Sequence, residues 1–345
     1  MPYLPLPIPA HVLEQIDEEE RHWSGPEEMK ERAEIRAEIE SLWGPINAIY
    51  DSGTPLWTKD AIRDLVRQID ESGVRLVQTE PISLEFSTVG IDGEIVHISF
   101  ELGVRHPIPP HWSPRADGSV LMDAMFCVDF RPADHLTSIA AIHIEDFNPA
   151  EAFLTMKVTP LSVPVMLDTG EVVPQSPTRP ASETHATLQQ EKAKWDASAA
   201  CRKLLAIFQG AANAGRLPRV DKVVSFACNR PSRVEEPEGI AEEHALVLSI
   251  WDFFVWRDPT TTVRCYAQDP AYNDVDREVL GELGVTILEN PRGFLEVDET
   301  SVVFSQAPDV PVRQIVADIA KPAVMVWNKV QEIPRDGDWV GRAEM

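Results

Sequence analysis

From Lys222 to Trp327 short apolar runs alternate with amphipathic stretches, and that alternation leaves few folds open. Val223, Val224 and Phe226 mark a buried strand over Lys222 to Ala227, and the run from Ile240 to Trp256 reads as a helix. In that helix Leu248, Trp251 and Val255 form one apolar stripe and Val247, Ile250 and Phe254 another, so two sides should be packed. Asp258-Pro259 stops it, and Thr262 to Ala267 is the next strand. Asn273 caps a helix carrying Val275, Val279 and Leu283, which Gly284 ends before a strand from Val285 to Leu288. Ser301 to Ser305 is a further strand. Asp309 can cap a helix with Val312, Ile315, Val316 and Ile319, and Ala323 to Trp327 is the last strand. Strands alternating with helices imply an α/β, Rossmann-like, mostly parallel sheet covered on both faces.

The first half of the chain follows a different pattern. Ser24-Gly25-Pro26-Glu27 fits a capping box, followed by Ile35, Ile39 and Leu42 on one helical stripe, with Glu28 four residues before Arg32. Gly44-Pro45 should end that helix, giving an acidic helical segment over residues 1–45. A second helix runs from Lys59 to Asp70. After Gly73 the period changes to two, with Val74, Leu76 and Val77 opening a strand. Ile95, His97, Ser99 and Glu101 alternate with Val96, Ile98 and Phe100, and Gly90 to Gly93 supplies a hairpin turn. Further strands are expected over Val120 to Phe130, Ser138 to Glu145, Ala152 to Thr159 and Val163 to Leu167. Residues 46–170 therefore read as an α+β region with antiparallel strands. His106 to Pro114 should be an exposed proline-rich loop, and residues 171–184 a Pro/Ser-rich linker. One long helix is expected from Thr184 to Asn213, with Gly215 as its C-cap, opening a domain over 185–330. Residues 331–345 form a polar tail.

Composition narrows the function classes. Of 345 residues, 31 are Lys or Arg and 56 are Asp or Glu, a formal net charge of -25. Such a surface repels phosphate backbones and anionic membranes, so non-specific nucleic-acid binding is excluded and a basic protein partner is favoured. No apolar run reaches the ~18 residues of a membrane span. The opening Met1-Pro2-Tyr3-Leu4-Pro5-Leu6-Pro7 is no signal peptide, so a cytoplasmic or nuclear location is expected. The four cysteines, Cys127, Cys201, Cys228 and Cys265, form no C-x-x-C pair and read as buried thiols. His143 and Glu145 could share a strand face, but no third ligand is identifiable, so no metal site is assigned.

In an open parallel sheet, ligands bind at the carboxyl ends of the strands. Three loops fall there. The first, Cys228 to Arg233, lacks the glycines of a dinucleotide cradle, although Asn229, Arg230 and Arg233 could meet an anion through their side chains. The second brings Gln268, Asp269 and Tyr272; Asp269 is placed to accept from ribose hydroxyls, though Asp269-Pro270 is also a turn former. The third carries Asp309. Ser305 has no evident base, and no nucleophile constellation emerges.

Cys265-Tyr266-Ala267-Gln268-Asp269-Pro270-Ala271-Tyr272, followed by Asp276, Leu280 and Leu283-Gly284-Val285, resembles the signature of the SRR-like (sensitivity to red light reduced) domain family. Gly293 to Asp298 and Ser301 to Pro308 continue the pattern, and Pro311 to Asp318 is similar to its fungal branch. The likeness covers Lys222 to Val330 and, loosely, the helix before; it leaves out the N-terminal half. It implies a Rossmann-like domain with a regulatory role. Members are linked to circadian timing and light signalling, to control of haem or tetrapyrrole synthesis, and to microtubule-related processes. The resemblance offers no catalytic residues to carry over, and the cofactor is left unassigned. Many relatives have a glycine-rich first loop, and many have a Pro-His pair where this chain has Pro308-Asp309. The favoured expectation is a non-catalytic regulatory protein acting through protein partners. The alternative is a Rossmann-like enzyme or sensor holding a nucleotide-like ligand or S-adenosylmethionine between Asp269 and the first loop. Haem handling through His or Tyr is a third reading, without a Cys-Pro pair to support it.

Overall fold

The structure is a computed structural model that describes residues 26–73, 82–102, 105–106, 119–133, 136, 149–166, 177–235, 237–306 and 308–328. The strands expected at Val74 to Val77 and Ser138 to Glu145, the Ser24 cap, the loop after His106 and the tail lie outside these residues, as do His143 and Glu145.

Helix α1 spans Pro26–Asp51 and runs straight through Gly44-Pro45, which does not end it. Proline removes one donor and crowds the preceding turn. Here burial of Ile46 in the main core, with Leu42 packed against it, outweighs that local penalty. Helix α2, Lys59–Ser72, is capped by the Thr58 hydroxyl on the Ala61 amide and closed by Gly73 at φ 68°. Its apolar side buries Ile62, Leu65 and Val66.

Strands β1 (Ile82–Val89) and β2 (Ile95–Leu102) form the expected hairpin, with Val89 opposite Ile95. Outside it, β3 (Arg105–His106), β4 (Ser119–Phe130) and β5 (Met156–Met166) make an antiparallel sheet in that order. β5 replaces the two strands expected either side of Pro160. Among the described residues it lies at the sheet edge, where Pro160 and Pro164 need no ladder donor on their open side. Ala152 follows a 3-10 turn at Pro149–Glu151 rather than starting a strand.

The long helix expected before the parallel sheet is two: α3, Ala181–Ala197, and α4, Ala199–Asn213. Ser198 is extended at ψ 156° and its hydroxyl accepts from the Cys201 amide, ending one helix and capping the next. Gly215, at φ 66°, follows the second as expected.

The C-terminal half is a five-stranded, all-parallel sheet of β6 (Lys222–Phe226), β7 (Arg264–Gln268), β8 (Val285–Ile287), β9 (Ser301–Ser305) and β10 (Val324–Trp327), in the order β10-β9-β6-β7-β8. The chain thus winds one way from β6 and then returns to the other side of it. Its helices are α5 (Pro237–Arg257), α6 (Asp274–Glu282), α7 (Arg292–Glu296) and α8 (Val312–Ile319). Helix α7 has no counterpart in the sequence reading. Helix α8 begins after Pro311 with no side-chain cap, so Asp309 does not cap it. The carboxylate stands too far ahead of the first turn for its free amides.

Each face of this sheet has its own core. Val223, Cys265, Val302 and Phe304 pack with Ile250, Phe254, Val279, Leu280, Leu188 and Phe208 from α3 to α6. The other face joins the two halves of the chain. Val224, Phe226 and Val303 share one cluster with Phe294, Ile315 and Val316, and also with Trp57, Val128 and Phe130. The Phe294 ring stacks on Phe226 at 4.6 Å and meets Phe130 at 5.1 Å. Polar contacts lock the same seam. Asp318 Oδ2 accepts from the Leu56 and Trp57 amides at 2.7 and 3.2 Å, Asn290 Oδ1 from the Val128 amide, and Gln314 Oε1 from the Ala133 amide. Gly293 is required where α7 meets the sheet, because a Cβ there would stand 2.8 Å from Gln268 Oε1 and 2.9 Å from the Phe226 ring.

Candidate functional site

The strand order places the ends of β6 and β7 side by side, with the end of β9 on the other side of β6. The first loop turns without glycine. Ala227 and Asn229 both adopt left-handed conformations, at φ 55° and 57°. Such residues cost of order 1 kcal/mol each and persist only where surrounding contacts hold them.

Those contacts come from the second loop and α6. Asp269 Oδ2 accepts from the Asn229 amide at 2.6 Å and its Oδ1 from the Ala271 amide at 2.8 Å. Asp276, fully buried, accepts from the Ser232 amide at 2.8 Å and from the Asn273 amide at 3.0 Å. The Asn273 side chain accepts in turn from the Asp276 amide and donates to the Ser232 hydroxyl, so the cap of α6 also ties down the first loop. The buried His244 donates from Nε2 to the Asn229 carbonyl at 3.1 Å. From the segment before α3, the Arg179 guanidinium donates to the carbonyls of Arg233 and Pro231, and its amide donates to the Ser232 carbonyl. That stretch of the expected linker is therefore stitched to the first loop.

The seven residues singled out from the sequence divide accordingly. Asn229 and Asp269 are brought together by a direct hydrogen bond. Gln268 is buried, its side chain accepting from the Gly293 amide at 2.6 Å. Tyr272 is buried against His244, ring centroids 6.0 Å apart, and its hydroxyl has no partner among the described residues. Arg230 is half-buried and its amide donates to the Asn229 side chain. The Arg233 guanidinium is paired with Glu235 at 3.0 Å. Asp309 is exposed, yet its charge reaches Asp269.

Sequence reasoning missed Glu243, on the second turn of α5. It is half-buried and has no hydrogen-bond or ion partner among the described residues. Burial first, then the charges of Asp269 and Glu242, push its carboxyl up to about 7. Asp269 is likewise raised by burial and by Asp309 and Asp276, against the pull of its two amide bonds. A single glutamate beside Glu242 on an amphipathic helix carries no signal of this; only folding buries it and brings the charge of Asp269 to bear on it. Cys228 is fully buried and its thiol is pushed up, burial foremost, so it is no nucleophile at neutral pH. His244 is pushed down by burial and stays neutral. Among the described residues no group of three or more His, Cys, Asp or Glu side chains is arranged to hold a metal, and no helix is long and apolar enough to cross a membrane.

The sign of the Glu243 effect follows directly. Its carboxyl ionises near 4.5 when unfolded and about 7 when folded. The stabilisation from the bound proton is complete below the unfolded value and lost as pH rises through 7. Glu243→Gln should therefore stabilise the protein at pH 8 by about 1–2 kcal/mol, after allowance for the exposed part of the side chain. The two proteins should converge near pH 4, below the unfolded value. Denaturant titrations at both pH values check this, and a gap independent of pH would refute it.

No curated protein and no solved structure matches the chain. Residues 215–338 match the family model described as the SRR1 domain. The matched stretch takes in every strand of the parallel sheet and all three loops at its carboxyl edge, and it is to SRR1 domains that this part of the chain is similar.

Proposed function

We propose that the chain is a regulatory protein that works by binding protein partners, in signalling or in haem- or tetrapyrrole-linked control, and that it performs no catalysis of its own. One observation carries this reading: both carboxylate oxygens of Asp269, the natural ribose acceptor of the fold, are already engaged by the Asn229 and Ala271 amides, so the side chain is turned to holding the protein's own loops. Gln268 is spent in the same way on Gly293. A first loop held by internal carboxylates offers no ring of free backbone amides to a pyrophosphate. The formal net charge of -25 favours partners with basic surfaces.

A thermal-shift panel separates this from the nucleotide or S-adenosylmethionine alternative. A ligand present at 100 times its Kd would add ~2.7 kcal/mol and raise the melting temperature by several degrees. We expect no shift with ATP, NAD or S-adenosylmethionine, and reproducible recovery of a partner when the full chain is used for affinity capture. A ligand-dependent shift abolished by Asp269→Ala would overturn the proposal in favour of a sensor or enzyme. The fungal branch remains part of the proposal, carried by the likeness of Pro311 to Asp318.

A further inference from the structure

Helix α4 and the turn after it reverse the charge pattern of the chain. Residues 197–220 carry four cations, Arg202, Lys203, Arg216 and Arg219, and no Asp or Glu, in a sequence where acids outnumber cations 56 to 31. All four cations are exposed, and none is in an ion pair among the described residues. The Arg202 guanidinium donates to a backbone carbonyl, that of Ala197. The acids that flank this stretch are engaged elsewhere. Asp196 pairs with Lys192 at 2.7 Å and accepts from the Ser249 hydroxyl, and Asp221 accepts from the Thr300 hydroxyl. Asp252 on α5, against which α4 packs, also pairs with Lys192, at 3.0 Å.

The same helix has a bare apolar face. Its inner side is fixed by Phe208, whose ring meets Phe253 and Phe254 of α5 at 5.5 and 5.6 Å. Lys203, Ile207, Gly210 and Ala214 recur at i, i+4, i+7 and i+11 and make one exposed stripe on the other side. Ile207 is 59% exposed, and a Cβ placed on Gly210 would meet nothing within 4 Å.

We propose that this face of α4 docks an acidic amphipathic helix of a partner protein. An apolar side chain of the partner would cover Ile207, and its carboxylates would meet Arg202 and Lys203 at one end and Arg216 and Arg219 at the other. This rests on the partner-binding reading above and goes further, because it names one contact and inverts its sign: most of the surface suits basic partners, and this face an acidic one.

Charge complementarity selects the occupant. Charges separated by more than about 8 Å are screened at physiological salt, so a short acidic segment senses the local cations and little of the net charge around them. A nucleic acid or an anionic bilayer extends past the patch and meets the surrounding acids. An isoleucine at the centre calls for an apolar anchor, which a peptide side chain supplies and a phosphate does not. With Gly210 and Ala214 beside Ile207 there is little side chain to hold a second helix away. The cations then set orientation and speed of encounter, and the isoleucine contact supplies affinity.

The test is fluorescence anisotropy of a labelled, repeated Glu-Leu-Glu-Glu-Leu-Leu-Glu peptide titrated with the full chain. Polyglutamate of equal charge, a single-stranded oligonucleotide and phosphatidylserine vesicles are the competitors. Four proteins are compared: wild type, Lys203→Glu, Ile207→Ser, and Lys30→Glu, which makes the same charge change on exposed α1. The amphipathic peptide should bind wild type saturably. Lys203→Glu and Ile207→Ser should each weaken it about fivefold or more, whereas Lys30→Glu should leave it unchanged. Polyglutamate as tight as the amphipathic peptide, or equal weakening by Lys30→Glu, would overturn the proposal in favour of diffuse charge. Tighter binding of oligonucleotide or vesicles, or no peptide binding, would also overturn it. Self-association of wild type in sedimentation, lost in Lys203→Glu, would overturn it by giving the face to a second copy of the chain. Cellular partner capture undiminished in Lys203→Glu, with peptide binding lost, would overturn α4 as the partner contact and leave the regulatory reading intact; failure of wild type to capture any partner would instead sink that reading.

Discussion

Phe294→Ala should destabilise the whole chain by about 3–5 kcal/mol, and should loosen both halves together. Phe294 is fully buried on α7, stacked on Phe226 of the parallel sheet and tilted against Phe130 of the antiparallel one. Truncation removes the largest side chain of α7 and leaves a cavity bounded by two rigid sheets. Neither sheet can collapse inward without breaking the bonds of the seam, including Asp318 to the Leu56 and Trp57 amides. The cost should therefore fall at the upper end of the range. Hydrogen exchange is the informative measurement. Protection should fall in β4 and β6 alike, and denaturant unfolding should remain one transition at a lower midpoint. Loss confined to β6, with β4 untouched, would mean that the two halves do not share a core.

That shared core marks the limit of what the sequence discloses. The parallel half was legible because its strands are buried on both faces and read as continuous apolar runs, punctuated by Asn273, Gly284 and Pro322. The β1–β2 hairpin was legible from alternation and from Gly90 to Gly93. Errors arose where packing overrode a local signal. Pro45 stays within α1 because Ile46 is buried, and Pro160 and Pro164 stay within β5 because they sit at an edge. Ser198 divides a helix that its apolar pattern runs through. Helix α7 is only five residues long, too short for any period to show, yet it carries the residue on which the seam turns. At the carboxyl edge the three loops could be placed from the strand pattern. The use of each side chain could not, because Asp269 was suited both to a ribose and to a structural turn, and the Glu243 carboxyl is raised only by the burial and neighbouring charges that folding supplies.

Asp276→Ala tests the internal wiring of that edge and should cost about 2–4 kcal/mol. The side chain is fully buried and satisfies two amides, of Ser232 in the first loop and Asn273 at the cap of α6. Alanine strips both amides of their acceptor in a place water does not reach, and removes half of the capping box. Asp276→Asn keeps one acceptor and should cost less than half as much. The more telling readout is local. With Ser232 released, the left-handed turn at Ala227 and Asn229 loses one of its restraints, so exchange over residues 229–233 should rise more than in β6 itself. Glycine would make this turn without strain; here two carboxylates, Asp269 and Asp276, hold alanine and asparagine in it instead. A first loop as well protected in Asp276→Ala as in wild type would show that Asp269, His244 and Arg179 suffice, and that the α6 cap stabilises its own helix alone.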